Sequence, residues 1–289
     1  FQIDYAQNGL KEYSLLDLCR VAAHKILSSC DLCGRQCSIN RYNETGACGL
    51  TAEPFNVNPF IHIAEEVPIN PALVMSYSGC GMACCYCIER TLYKSPDYRN
   101  TFHKAFWARY EKLKQEYDFN SIEFSNPTES VHSVLDILSF APMDVNHPVV
   151  ANVHLYSSKH FYQVAHHFVD CWLVDFRYGN DECAKRLSGV DDYMRFAKLG
   201  MDQITGSGSW IIVRILVLPG HLDCCLKPII DILSEYREKV WVSILDQYIP
   251  EHNASRFKEI NRRPTIEEVG SLEEYSRKKG LRLIDSGHA

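Results

Sequence analysis

Six short runs rich in β-branched and aromatic residues alternate with helix-like stretches, and this alternation most limits what the chain can fold into. The runs are 73–78, 121–125, 149–153, 172–176, 210–218 and 240–245. Between them apolar residues recur at helical spacing, as at Val131, Leu135 and Leu138, and again at Ile229, Ile230, Ile232 and Leu233. Pro219-Gly220 punctuates the fifth run, and 265–279 reads as a last helix ending before Gly280. Repeated βα units call for a parallel sheet, and six of them close most simply as a partial (β/α)6 TIM-like barrel. Chemistry in such barrels sits in the loops at the carboxyl ends of the strands.

The first of those loops carries Cys80, Cys84 and Cys87 in the order C-x3-C-x2-C, directly after the first strand. A cubane of four irons and four sulfides is normally held by four thiolates, so three leave one iron open to a ligand from outside the protein. A structural zinc requires four ligands, and no histidine stands nearby. Cys85 is adjacent to Cys84, and neighbouring side chains diverge unless the backbone bends sharply. A disulfide framework suits small secreted domains rather than a chain of 289 residues. The loop therefore reads as an iron-sulfur site, with zinc or spare thiols as the alternatives.

Composition narrows the function classes. An apolar content of 46% is enough for a sizeable core, and 13 cysteines suit a reducing compartment where thiols stay free or bind metal. A cytoplasmic home where oxygen is scarce is the expectation. The chain opens with Phe1 rather than Met, which suggests trimming and leaves upstream targeting open. A formal charge of -6 argues against a nucleic-acid partner, and Arg262-Arg263 and Arg277-Lys278-Lys279 read as solvated faces. No apolar run reaches the length of a membrane span.

Residues 1–70 lie outside the alternation and form a separate N-terminal segment ahead of the barrel at 71–289. Leu15, Leu18, Ala22 and Ile26 fall on one helical face, a pattern of core packing. Cys30, Cys33, Cys37 and Cys48 follow, interleaved with Gly34, Gly46 and Gly49. Four thiols at that spacing can close around one metal, and zinc and a second [4Fe-4S] cluster satisfy it equally.

With a three-cysteine loop at the first βα junction and an aromatic, Tyr86, before the last cysteine, the chain resembles the radical S-adenosylmethionine superfamily. Within it the chain is similar to uncharacterised iron-sulfur proteins related to pyruvate formate-lyase activating enzyme. The likeness runs through Cys30 to Arg41 with Gly46-Ala47-Cys48, then Asp175 to Gly179, Val213 to Gly220, Asp246 to Pro250 and Glu259 to Arg263. It implies an open iron that binds the amino nitrogen and carboxylate of S-adenosylmethionine. Reduction of the sulfonium would release methionine and a 5'-deoxyadenosyl radical that takes hydrogen from a substrate. A low-potential electron donor such as a flavodoxin or ferredoxin is implied as a partner. The substrate is a small molecule, peptide or protein, and by analogy a glycine on a protein chain.

The resemblance also assigns cofactor-binding positions: Tyr86, Ser125, Asn126, Asn152, Asp175, Arg177 and Arg214. Asn126 stands where the superfamily has an acidic residue that receives the cofactor's ammonium group, and Glu129 is a candidate to compensate. Strand residues two apart share a face, so Asp175 and Arg177 read equally as an internal ion pair. Ile215 replaces a histidine of the related group, which points to a different substrate if that histidine contacts one. His221, just past Pro219-Gly220, reads as an exposed loop histidine, with action on a substrate as the alternative, and His132, His166 and His167 read as surface or packing residues. Cys224 and Cys225 read as spare thiols, a third metal site being the alternative. The competing overall reading is a catalytically silent iron-sulfur or zinc-binding protein with a redox or structural role.

Overall fold

The computed structural model describes residues 13–63, 66–89 and 103–284. Eight strands form one sheet in sequential order: β1 Phe60–His62, β2 Ala72–Ser76, β3 Ser121–Ser125, β4 Val149–Val153, β5 Cys171–Asp175, β6 Trp210–Leu216, β7 Trp241–Leu245 and β8 Arg282–Leu283. β1 is antiparallel to β2, and every later neighbour pair is parallel. The helices are α1 Leu15–Ile26, α2 His103–Glu116, α3 Val131–Leu138, α4 Lys159–Ala165, α5 Asp181–Ser188, α6 Tyr193–Thr205, α7 Lys227–Ser234 and α8 Ile266–Lys278. This is the partial barrel of parallel strands expected from the alternation, behind a cysteine-rich N-terminal segment. The six expected runs are β2 to β7, with ends within two residues. β1 and β8, of three and two residues, are too short to leave a periodic signal and exist by pairing with a neighbour.

Side-chain alternation sorts the strands into two environments. Ile122 and Phe124 of β3 face outward and pack with Phe106, Trp107 and Tyr110 of α2 and Val134 and Ile137 of α3. On the inner face Val150, Leu173 and Ile212 form part of an apolar floor. Two residues further along the same strands stand Asn152, Asp175 and Arg214. The inner face thus changes from apolar to polar toward the carboxyl ends.

The N-terminal segment packs on this frame through α1. Ser14 and Asp17 cap its start reciprocally, and Arg20 and His24 reach Asp136 of α3 at 2.7 and 3.0 Å. The buried face differs from the one the sequence suggests. Cys19, Ala23 and Leu27 are buried, whereas Leu15 and Leu18 are exposed and Ala22 and Ile26 only partly covered. Small residues at 19 and 23 let the helix approach closely, and this contact decides its rotation.

His132 joins the two parts: its Nε2 donates to the Ala52 carbonyl at 2.9 Å, and its ring lies edge-on to His24. Burial, then the nearby Arg41 cation, hold the ring's pKa down to about 3. The ring is therefore neutral when folded but protonates on unfolding below its ordinary value of 6.5. Its stabilising contribution is complete above that value and is lost as pH falls toward 3. We expect unfolding free energy to fall by up to about 1.4 kcal/mol per pH unit through this window from this residue alone. Denaturant titrations of wild type and His132→Gln from pH ~6.5 to ~4.5 should give a shallower slope in the variant.

Candidate active site

A cavity of about 800 Å³ opens at the carboxyl ends of the strands. Cys80, Cys84, Cys87 and Tyr86 line one side, and Ser125, Asn126, Asn152, Asp175, Arg177 and Arg214 line the rest. The three loop cysteines and all seven positions assigned to the cofactor in the sequence therefore meet in one place. The cavity is large enough for a nucleotide-sized ligand.

The cysteine loop has no regular structure, so its backbone groups find partners elsewhere. Gly79, which leads into it, has φ +83°, and a Cβ there would stand 2.4 Å from Leu50. Cys80 N–H donates to the Cys48 carbonyl at 3.1 Å, Ala83 N–H to Ser188 at 3.0 Å and Cys85 N–H to Leu187 at 2.7 Å. The last two acceptors are carbonyls at the C-terminal end of α5, which have no partner within the helix. Side chains complete the support: Ser188 Oγ donates to Cys84 Sγ at 2.9 Å, and Tyr86 reaches Tyr178, whose hydroxyl lies against Ser188.

Gly81 N–H donates to Glu129 Oε1 at 2.7 Å, and Asn126 Nδ2 donates to Glu129 Oε2 at 2.8 Å. Glu129 is 2% exposed and lies behind the loop, while Asn126 lines the cavity. The carboxylate two positions after Pro127 thus braces the loop instead of replacing the missing acid in the cavity. Burial alone would raise its pKa, but His154 and backbone N–H groups outweigh that and hold it below the ordinary value. His154, buried at the end of β4, accepts from Tyr156 N–H through Nδ1 and turns Nε2 toward Glu129 at 3.7 Å. Leu155 follows it with φ +62°, a conformation bulky residues rarely adopt, which the surrounding packing enforces.

The strand ends form one polar network. Asp175 accepts from Arg177 Nη2 at 2.8 Å and Arg214 Nε at 2.7 Å, Arg214 Nη2 donates to Asn152 at 3.0 Å, and Asn152 donates to Glu123 at 2.9 Å. The ion-pair reading of Asp175 and Arg177 holds, and the same pair lines the cavity. Both arginines bear on the Asp175 carboxylate, with Glu123 further along the same network, and Arg177 Nε is buried with no acceptor among the described residues. Ile215 is buried on the outer face and does not line the cavity, so its replacement of histidine sits away from a ligand.

A thiolate-held cluster fits this donor set: three sulfurs, N–H and O–H donors on two of them at Cys80 and Cys84, and the Arg177 cation close to Cys84 and Cys87. Cationic and hydrogen-bonding neighbours stabilise the negative charge such a cluster carries. The front thiols lie beside this loop. Cys33 Sγ is 2.9 Å from where a Cβ on Gly81 would stand, Arg35 donates to the Gly81 carbonyl, and buried Arg41 donates to the Glu129 carbonyl. Cys30, Cys33 and Cys48 are buried and Cys37 partly exposed. Burial, then Glu129, push the Cys48 thiol up to about 11.

Among solved structures, the chain superposes on a cysteine-to-serine mutant of spore photoproduct lyase with TM-score 0.50. Identity is 12%, covering 96% of this chain and 86% of that one. A radical SAM methyltransferase from Sphaerobacter thermophilus gives TM-score 0.49 at 12% identity over 73% of this chain, which spans 65% of the methyltransferase. The architecture is the radical S-adenosylmethionine fold that the sequence resembles. No family model matches the sequence. Over 282 residues the chain is 33% identical to the uncharacterized protein MJ0674 of Methanocaldococcus jannaschii, covering 94% of this chain and 81% of that protein, and it belongs to the same family.

His154 and Ser188 escaped the sequence reading, and Arg41 entered it only as the last residue of the Cys30 to Arg41 stretch. His154 directly follows a strand end, which was the one available signal. Nothing local marks Ser188. Glu129→Gln replaces a charged acceptor by a neutral one with a clashing amide end, and should cost about 1–3 kcal/mol of stability. Gly79→Ala forces a Cβ into Leu50 at a positive φ and should lower the iron bound after anaerobic reconstitution. Thermal unfolding and iron-to-protein ratios check the two outcomes.

Proposed function

We propose that the protein is a radical S-adenosylmethionine enzyme, with Cys80, Cys84 and Cys87 holding a [4Fe-4S] cluster. The observation that carries this reading is the convergence of three thiols and the Asn152, Asp175, Arg177 and Arg214 network on one cavity at the strand ends. When bound, such a cluster and S-adenosylmethionine supply reductive sulfonium cleavage and a carbon-centred radical for hydrogen abstraction.

The chain's own groups divide the work. Arg177 and Arg214 offer positive charge to a carboxylate, already oriented by Asp175. Asn126 and Ser125 offer oxygen acceptors to an ammonium group, weaker than a carboxylate. Tyr86 packs edge-on to Tyr178 and Tyr248 and helps screen the thiols from water. Substitution of Asn126 for an acid motivates the silent alternative. Against silence stand the intact thiol loop and the buried, acceptor-seeking Arg177 Nε.

By analogy with activating enzymes, the reading extends to an oxidoreductase taking hydrogen from a protein glycine. Spore photoproduct lyase has been observed with AdoMet and a dinucleoside spore photoproduct, and Streptococcus suis SuiB with a precursor peptide; here a peptide or protein substrate is the proposal. Cys30, Cys33, Cys37 and Cys48 would hold a second cubane or zinc beside the first centre. A flavodoxin or ferredoxin in a reducing cytoplasm would deliver the electron. Among the described residues no helix is long and apolar enough to cross a membrane.

Anaerobic reconstitution, reduction with dithionite and assay for 5'-deoxyadenosine test the central claim. We expect product from wild type and none from Cys84→Ala. Arg177→Gln should retain iron but lose at least about tenfold in product yield at limiting S-adenosylmethionine. Full cluster assembly in wild type with no deoxyadenosine would favour the silent alternative.

A further inference from the structure

A third cluster of soft ligands stands apart from both cysteine groups already described. Cys183 lies in the first turn of α5, and His221, Cys224 and Cys225 follow the end of β6. One ligand atom from each of the four falls within 4.8 Å of all the others. His221 Nδ1 is 3.6 Å from Cys183 Sγ and 3.3 Å from Cys224 Sγ, and the two sulfurs are 4.0 Å apart. A tetrahedral zinc with ordinary Zn–S and Zn–N lengths needs edges of about 3.8 Å between sulfurs and about 3.6 Å between sulfur and nitrogen. None of the four lines the cavity.

We propose that Cys183, His221, Cys224 and Cys225 form a closed, four-coordinate zinc site. Adjacent cysteines ordinarily diverge, but here the backbone of Leu222–Leu226 forms a π-helical turn, with Leu226 N–H donating to the His221 carbonyl at 3.1 Å. Such widened turns concentrate at functional sites, and this one turns Cys224 and Cys225 toward the same point. His221, Cys183 and Cys225 are 2%, 7% and 0% exposed, so His221 is not the exposed loop residue suggested by sequence. Cys224 is exposed and leaves a path for the ion.

The surroundings match a metal's outer shell. Asn180 Nδ2 lies 3.4 Å from both Cys183 and Cys225 Sγ, where it can donate to thiolate. His221 presents Nδ1 to the sulfurs, while its Nε2 lies 3.4 Å from Arg186 Nη2 and 3.8 Å from Glu259, whose carboxylate Arg186 also pairs, so both side chains hold the ring from behind. Gly179 makes room: a Cβ there would stand 2.3 Å from the Cys225 carbonyl oxygen. Four protein ligands leave no open position, which marks a structural ion. It would pin the start of α5, whose far end accepts the Ala83 and Cys85 N–H groups of the first cysteine loop.

The test uses the full chain with its iron-sulfur centres reconstituted anaerobically, titrated with Co2+ and then Zn2+. In a variant with Cys30, Cys33, Cys37 and Cys48 all changed to Ser we expect one Co2+ per chain with thiolate-to-cobalt absorption and tetrahedral ligand-field bands, both displaced by Zn2+. Adding Cys183→Ser or Cys225→Ser to that variant should abolish the bands. Because these variants can fail to fold, alkylation is also followed on wild type. Zn2+ should slow iodoacetamide modification of Cys224 at least about tenfold. Bands that survive the added Cys183→Ser or Cys225→Ser, bands lost with the front cysteines, an unchanged alkylation rate, or a Cys183–Cys224 disulfide in air-free material would each overturn the site.

Discussion

The cysteine loop between β2 and the rest of the barrel cannot satisfy its own backbone, and the structure is organised around that need. Four N–H groups, at Cys80, Gly81, Ala83 and Cys85, donate respectively to Cys48, Glu129, Ser188 and Leu187. Buried donors without partners would each cost a large share of a domain's net stability. Front segment, β3–α3 connection and α5 must therefore all be in place before the loop has one conformation. The loop's accuracy is a tertiary property built from weak local pieces.

Charge in this region is arranged in two layers. Glu129 lies behind the loop, against Gly81 beside Cys33, and His154, which also lines the cavity, turns Nε2 toward it. Asp175, Arg177 and Arg214 lie across the cavity in front of it. The back layer holds backbone and the front layer holds cations ready for an anion. This separation explains why Glu129 does not repeat the role of the acid absent at Asn126: the short turn that follows Pro127 carries it behind Gly81 instead of into the cavity.

Pieces of the fold with a strong local period were legible from residues alone. β2 to β7 are apolar runs bounded by turn residues, and alternation put Asp175 and Arg177 on one face, while the meeting of Asn152, Asp175 and Arg214 across three strands depends on the sheet register. The face of α1 was misread because Leu15 and Leu18 are as apolar as any core residue. The contact with α3 and α4 favours the small side chains of Cys19 and Ala23. β1 and β8 left no signal because their order comes from their neighbours.

Sequence by itself determined the parallel partial barrel and the three-thiol loop at its first junction, because each depends on spacing within a few residues; the strand-end groups entered through the family resemblance. Only the tertiary structure decided that Glu129 braces Gly81, that the front thiols lie against the loop, and that Cys183 meets His221, Cys224 and Cys225 across 38 to 42 positions of chain. Those contacts are made where the βα units pack, between residues whose separation carries no local period. Their distances are set by the packing of whole elements, which no short window of sequence contains.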